Sequence, residues 1–112
     1  MAEEKDYLEL EEEDGAIRVS FAALGEIASQ AALAVPGVSA LAAVPQAVVK
    51  GVQVQLSEIG ICTIDLHLLV TMEQSFAQVA KQVQTAVKTA VDAAVGIEVA
   101  SVNVFVAGVT LK

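Results

Sequence analysis

The change of period across Gly96 constrains the fold of this chain more than any other feature. Upstream of it, Phe76, Val79, Ala80, Val83, Ala86, Val87, Ala90, Val91 and Ala94 recur at the spacing of one helix face. Downstream, Val102, Val104 and Val106 alternate with Asn103 and Phe105, the period of a strand. A glycine between two such runs stops the helix, because it enters the left-handed backbone region without a steric penalty. The pattern predicts a helix that folds back onto a sheet.

The rest of the chain extends this reading. Residues 16–19 predict a short strand, with Ser20 as the N-cap of a helix over residues 21–34. Leu24, Ile27, Ala28, Ala31 and Val35 form its apolar stripe, and Pro36 with Gly37 ends it. Residues 39–50 read as a connection punctuated by Pro45. Val52, Val54 and Leu56 then alternate with Gln53, Gln55 and Ser57, and a turn at residues 58–60 leads into a return strand. That strand places Cys62, Ile64, Leu66, Leu68 and Val70 on one face and Thr63, Asp65, His67 and Leu69 on the other. Thr71 is predicted to cap the second helix, with Gln74 completing a capping box. The helix reaches Ala94 or Val95, and a last strand covers residues 97–109. The order is β-α-β-β-α-β. It predicts an α+β fold with two helices packed on one face of a mixed three- to four-stranded sheet, the other face in water and the crossovers right-handed. Two strand orders stay open: a ferredoxin-like one, and a KH-like sheet with the first strand apart.

Charge divides the chain unevenly. The formal total is -8; residues 1–14 hold eight acids against Lys5, a net of -7, and residues 15–112 hold six acids and five bases, a net of -1. Residues 1–14 therefore predict an acidic flexible tail, and residues 15–112 a single domain. The apolar fraction of 55% is mostly alanine and valine, so the core is expected to depend on close packing of small side chains. The remaining cations, Arg18, Lys50, Lys81, Lys88 and Lys112, are scattered. Nucleic acid is excluded as a partner, because phosphate binding needs a basic patch. No GXXG loop and no RRM-type aromatic pair is present either.

The single cysteine, Cys62, excludes an intrachain disulfide, and no basic segment leads into an apolar signal core. Both predict a cytoplasmic protein. Residues 27–49 carry no charge, yet Pro36, Gly37 and Pro45 interrupt them and Ser29, Gln30, Ser39 and Gln46 lie among them. A membrane-spanning helix needs an unbroken apolar run, so direct insertion is not expected.

Thr63, Asp65 and His67 come nearest to a catalytic set, since alternation puts all three on one face and Asp65 could orient His67 as a general base. Thr63 is a poor nucleophile, no oxyanion loop is evident, and an open sheet face is not a cleft. No catalytic residue is assigned. One histidine, one cysteine on the opposite face and scattered carboxylates give no metal-ligand spacing. The seven glycines are dispersed rather than gathered into a phosphate loop, and no cofactor is predicted. Protein interaction is the better-supported reading. The strand at residues 52–57 lacks the lysine or proline that usually guards a sheet edge. The predicted interaction surface is Val52, Val54 and Leu56 of that strand, with Ile61, Leu69 and Phe105 adding apolar area.

Three segments also carry a family likeness. The first is Gly15-Ala-Ile-Arg-Val-Ser20, leading into a helix that ends Val35-Pro-Gly-Val38. The second is Lys50-Gly-Val-Gln-Val54 followed by Ile64-Asp-Leu-His-Leu-Leu-Val70. The third is Val79-Ala-Lys-Gln-Val-Gln84, then Val95-Gly96, Ser101-Val-Asn-Val104 and Val106-Ala-Gly-Val109. Together they resemble the alkaline shock protein family of small bacterial cell-envelope stress proteins. The chain departs from the family pattern at Thr71-Met72, where an aromatic-glycine pair is common. The resemblance implies a non-catalytic bacterial protein of stress response and envelope homeostasis. It implies an interaction or scaffold module that self-associates or meets the membrane through an anchored protein partner. The alternative it implies is a regulator tied to lipid metabolism, binding an acyl ligand or a metabolic enzyme.

Overall fold

The computed structural model describes residues 7–57, 61–96 and 99–110. Their order is β1 (Tyr7–Glu12), β2 (Gly15–Ser20), α1 (Phe21–Leu33), β3 (Val38–Leu41), β4 (Val52–Leu56), β5 (Cys62–Thr71), α2 (Phe76–Val95) and β6 (Ser101–Thr110). β5 is the centre. Its burial alternates along the whole strand, with Cys62, Ile64, Leu66, Leu68 and Val70 buried and the residues between them half-buried. Both its edges are occupied. β6 runs parallel along one side, and β3 and β4 lie antiparallel along the other.

β3 and β4 act as one edge strand with a loop drawn out of it. They meet at His67, whose N–H donates to the Gly51 carbonyl at 2.9 Å and whose carbonyl accepts from the Ala42 N–H at 2.8 Å. Residues 43–50 leave and return at that point. Gly51 makes the return possible: its φ is +78°, and a Cβ there would sit 2.7 Å from Leu41 Cβ and 2.9 Å from the Ala42 carbonyl oxygen.

Both helices cover the buried face. Ser20 caps α1, its Oγ accepting from the Ala23 N–H at 3.0 Å. In α2, Val79, Val83, Val87 and Val91 are all 0% exposed, one valine per turn. With Leu24, Ala28 and Ala32 of α1 and the inward side chains of β5 they form one continuous core. The valines and alanines of the helices pack against Ile64, Leu66 and Leu68 of β5, all fully buried, so the space between the layers is filled. α1 packs on β2, β3 and β4, and α2 packs on α1 and β6. Gly96 ends α2 at φ 80°, its N–H returning to the Asp92 carbonyl at 2.8 Å.

The α+β class, with two helices on one side of a mixed sheet, is as predicted. Four local expectations are corrected. The acidic segment is not a tail throughout: Tyr7–Glu12 pairs with Gly15–Ser20 as a hairpin, while residues 1–6 lie outside the described residues. The charges hide a strand period in which Leu8 and Leu10 alternate with Glu9 and Glu11, and Leu8 is buried. The predicted first strand therefore belongs to a separate two-stranded sheet, and no crossover links it to β4 within one sheet. Residues 38–41, read largely as connection, form β3; a bulge between Val38 and Ala40 breaks their alternation. Thr71 does not cap α2, because its N–H donates to the Gly37 carbonyl as the last residue of β5; Ser75 is the cap, accepting from the Gln78 N–H at 3.5 Å. The predicted turn at residues 58–60 and the start of the last strand at Ile97 and Glu98 lie outside the described residues.

Candidate functional site

The outer face of the sheet carries the candidate polar residues, and the structure ties them to one another. Asp65 Oδ1 accepts from Asn103 Nδ2 at 2.8 Å. The His67 ring stacks on Phe105, and its Nε2 lies 3.4 Å from Gln53 Oε1. With a proton on Nε2 the imidazole donates to that amide oxygen. Gln53 in turn donates to the Pro45 carbonyl at 3.2 Å, fastening the loop drawn from the β3–β4 edge. Asp65 is thus engaged by Asn103 rather than by His67, in keeping with its having no assigned catalytic role. Ser39 bridges the other end of the face, donating to the Leu69 carbonyl at 3.1 Å and lying 2.7 Å from Thr110 Oγ1.

The predicted interaction residues divide into two groups. Val52 and Val54 are 0% and 8% exposed, sit in the core and offer a partner no side chain. Leu56 is half-buried. Leu69 and Phe105 do share the outer face, where Gly108 leaves room for Leu69; a Cβ on it would meet Leu69 Cδ2 at 3.0 Å. Ile61 is exposed just before β5 begins.

The edge that sequence reasoning missed is β6. His67 bonds toward β3 and β4 through its own N–H and C=O, so odd-numbered residues of β5 face that side and even-numbered ones face β6. Ile64 pairs with Val102, Leu66 with Val104 and Leu68 with Val106. In a parallel ladder the partner of an inward-bonding residue turns its own N–H and C=O away. Val102, Val104 and Val106 therefore present backbone groups to the free side of β6. The register shifts between Val106 and Gly108, after which Val109 takes the outward position. Gln84 Nε2 donates to the Val102 carbonyl at 3.0 Å and covers the start of the edge. One signal was present in the sequence: residues 99–110 contain no charged residue and no proline.

Cys62 is free and buried, and burial pushes its thiol pKa up by desolvating the thiolate, which opposes nucleophilic reactivity. Among the described residues no group of three or more His, Cys, Asp and Glu side chains could hold a metal ion. Among the same residues no helix is long and apolar enough to cross a membrane. An open groove of about 520 Å³ runs beside α1, lined by Glu26, Ser29, Leu33, Leu41, Val49 and Lys50 among others.

Fold and face together define a small α+β domain whose main sheet has one face covered by helices and one open face, with β6 at one edge and β3 and β4 at the other among the described residues. A model of the alkaline shock protein 23 family, described by its cell envelope-related function, matches residues 9–111. The chain belongs to that family, the group its sequence resembles. The match begins inside β1, so part of the acidic hairpin lies within it. Among solved structures, a MamM CTD variant aligns at TM-score 0.51 and 21% identity, covering 82% of this chain and 98% of that one. The MamM CTD segment 215–293 aligns at TM-score 0.50 and 20% identity, covering 82% and 99%. These likenesses concern the fold alone. The comparison with curated proteins gives no match.

Proposed function

We propose that this alkaline shock family chain is a non-catalytic interaction module of envelope homeostasis, held in the cytoplasm, that self-associates and meets the membrane through an anchored protein partner. The observation that supports this most is the outer sheet face. There the groups a catalyst would use are occupied by structural pairs, Asp65 with Asn103 and His67 with Phe105 and Gln53. What the face leaves for function is surface and backbone edge, which bind rather than react. The acidic hairpin opposes direct contact with anionic lipid, whose surface attracts basic segments. Membranes from the native host provide the test. The chain should sediment with them, and protease treatment of the membranes beforehand should abolish binding. Equal binding to protein-free vesicles would contradict the anchored-partner reading.

A second reading is an acyl-ligand regulator, favoured by the groove beside α1, where Leu33, Leu41 and Val49 lie near the cation of Lys50. The layer between helices and sheet is filled by side chains at 0% exposure, so an acyl chain has this groove rather than the interior to occupy. A fatty acid should then raise the melting temperature by linkage, and Lys50→Glu should remove the rise. An unchanged melting temperature across a chain-length series would dispose of this reading.

A further inference from the structure

Among the described residues β6 is bonded to β5 alone, and the valines of its free side turn backbone groups outward that find no partner there beyond the carbonyl that Gln84 covers. The side chains around this stretch are uncovered as well. Val106 is 36% and Val109 41% exposed on the helix side of the sheet, and Phe105 is 56% exposed on the outer side. Sheet edges are ordinarily guarded by lysine, proline or a bulge. Here the guard is a bulge at Ala107, and the residues before it carry none.

We infer that β6 pairs antiparallel with β6 of a second copy across a two-fold axis at Phe105, extending the sheet through a dimer. The inference rests on the self-association in the proposed function and names the surface that performs it. In this register Val104 of each copy forms a hydrogen-bonded pair with Val106 of the other. Phe105 faces Phe105 of the second copy in the closer, non-hydrogen-bonded position. An aromatic pair directly opposite on one face is a stabilising cross-strand arrangement.

Charge selects a second copy as the occupant. Residues 99–110 are uncharged, so a basic or acidic peptide finds no counterpart there, whereas an identical neutral strand does. The acids that make the chain repel itself are concentrated in residues 1–14. Five of them, Glu9, Glu11, Glu12, Glu13 and Asp14, belong to the β1–β2 hairpin, which is joined to α1; α1 packs on the β3–β4 edge, while β6 lies under α2 on the opposite side of β5. A two-fold axis at β6 places the two acidic hairpins at the outer ends of the dimer. An isologous contact of this kind also closes on itself rather than growing into a filament.

The test uses the full chain and two variants. Val106→Pro removes an N–H that faces away from β5 and leaves the β5 ladder intact. It should weaken association at least tenfold in sedimentation equilibrium while keeping the circular dichroism of the wild type. Phe105→Cys in a Cys62→Val background should form a disulfide-linked dimer under mild oxidation, because the paired Cα atoms fall within disulfide range. Wild-type association that persists in Val106→Pro, with no cross-link at position 105, overturns the β6 pairing and leaves self-association standing. A wild-type chain that stays monomeric overturns both. If Val106→Pro does not fold, the cross-link alone decides.

Discussion

The imidazole of His67 lies flat on the ring of Phe105, with centroids 4.9 Å apart and planes within 7°. The two side chains are partners in the parallel β5–β6 register, so the stack clips the central strand to its open edge on the solvent side. Aromatic pairs of this kind contribute about 0.5–1.5 kcal/mol beyond area burial. Phe105 is 56% exposed, which places the expected coupling at the low end. A double-mutant cycle of His67→Ala and Phe105→Ala, read by urea denaturation, should give a favourable coupling of about 0.5 kcal/mol. Additive single effects would show that the stack is incidental.

Two glycines with similar backbone angles should respond very differently to alanine. Gly51 and Gly96 have φ near +80°, but a Cβ at Gly51 would collide with Leu41 and Ala42, and at Gly96 nothing lies within 4 Å. Gly96→Ala should lose about 1–2 kcal/mol, the ordinary left-handed penalty. Gly51→Ala should lose about 3 kcal/mol or more, because overpacking adds to strain. Equal urea midpoints for the two variants would mean that the chain crossing at Gly51 is looser than described.

Thr71 and Ser75 test the placement of the α2 cap. Ser75→Ala should cost about 0.5–1 kcal/mol, the lower part of the capping range, given its 3.5 Å bond to the Gln78 N–H. Thr71 Oγ1 is buried without a hydrogen-bond partner, so Thr71→Val removes an unsatisfied group and should be neutral or stabilising. The opposite ranking in thermal melts would restore Thr71 as the cap.

Cys62 gives stability a dependence on alkaline pH. Burial raises its pKa in the folded chain above the ordinary thiol value of 9.0, so the folded state holds the proton more tightly than the unfolded one. Its contribution is complete below that ordinary value and is lost as pH rises from there through the raised native pKa. The stability of wild type relative to Cys62→Val should be flat near neutrality and decline above about pH 9. A constant difference through that range would contradict the assigned burial effect.

The parts of the fold legible in the sequence were those whose cause is local. The valine stripe of α2, the stop at Gly96, the Ser20 cap and the alternation of β5 depend on neighbours a few residues away. β1 was obscured because Glu9, Glu11 and Glu12 outweigh Leu8 and Leu10 in any composition window, although the two leucines keep a strand period. β3 has four residues and a bulge at Ser39, too little pattern to stand out from a loop. Thr71 and Ser75 are chemically equivalent caps in sequence; a bond to Gly37, more than thirty residues away, holds Thr71 in the strand. Among the candidate residues, Leu69 and Phe105 lie on the outer face, and β4, expected at a sheet edge, pairs with β5 alone among the described strands; the second edge, β6, was not foreseen. Which side of a strand is left open depends on pairing between distant segments. Val52 and Val54 do lie on an edge strand, but their side chains turn into the core and not toward a partner.

Self-association stands or falls on sedimentation equilibrium of the full chain over a hundredfold concentration range. The average mass should rise from one copy toward two, at an ionic strength high enough to screen the acidic hairpins. A mass that remains that of one 11.6 kDa chain at every concentration would contradict it.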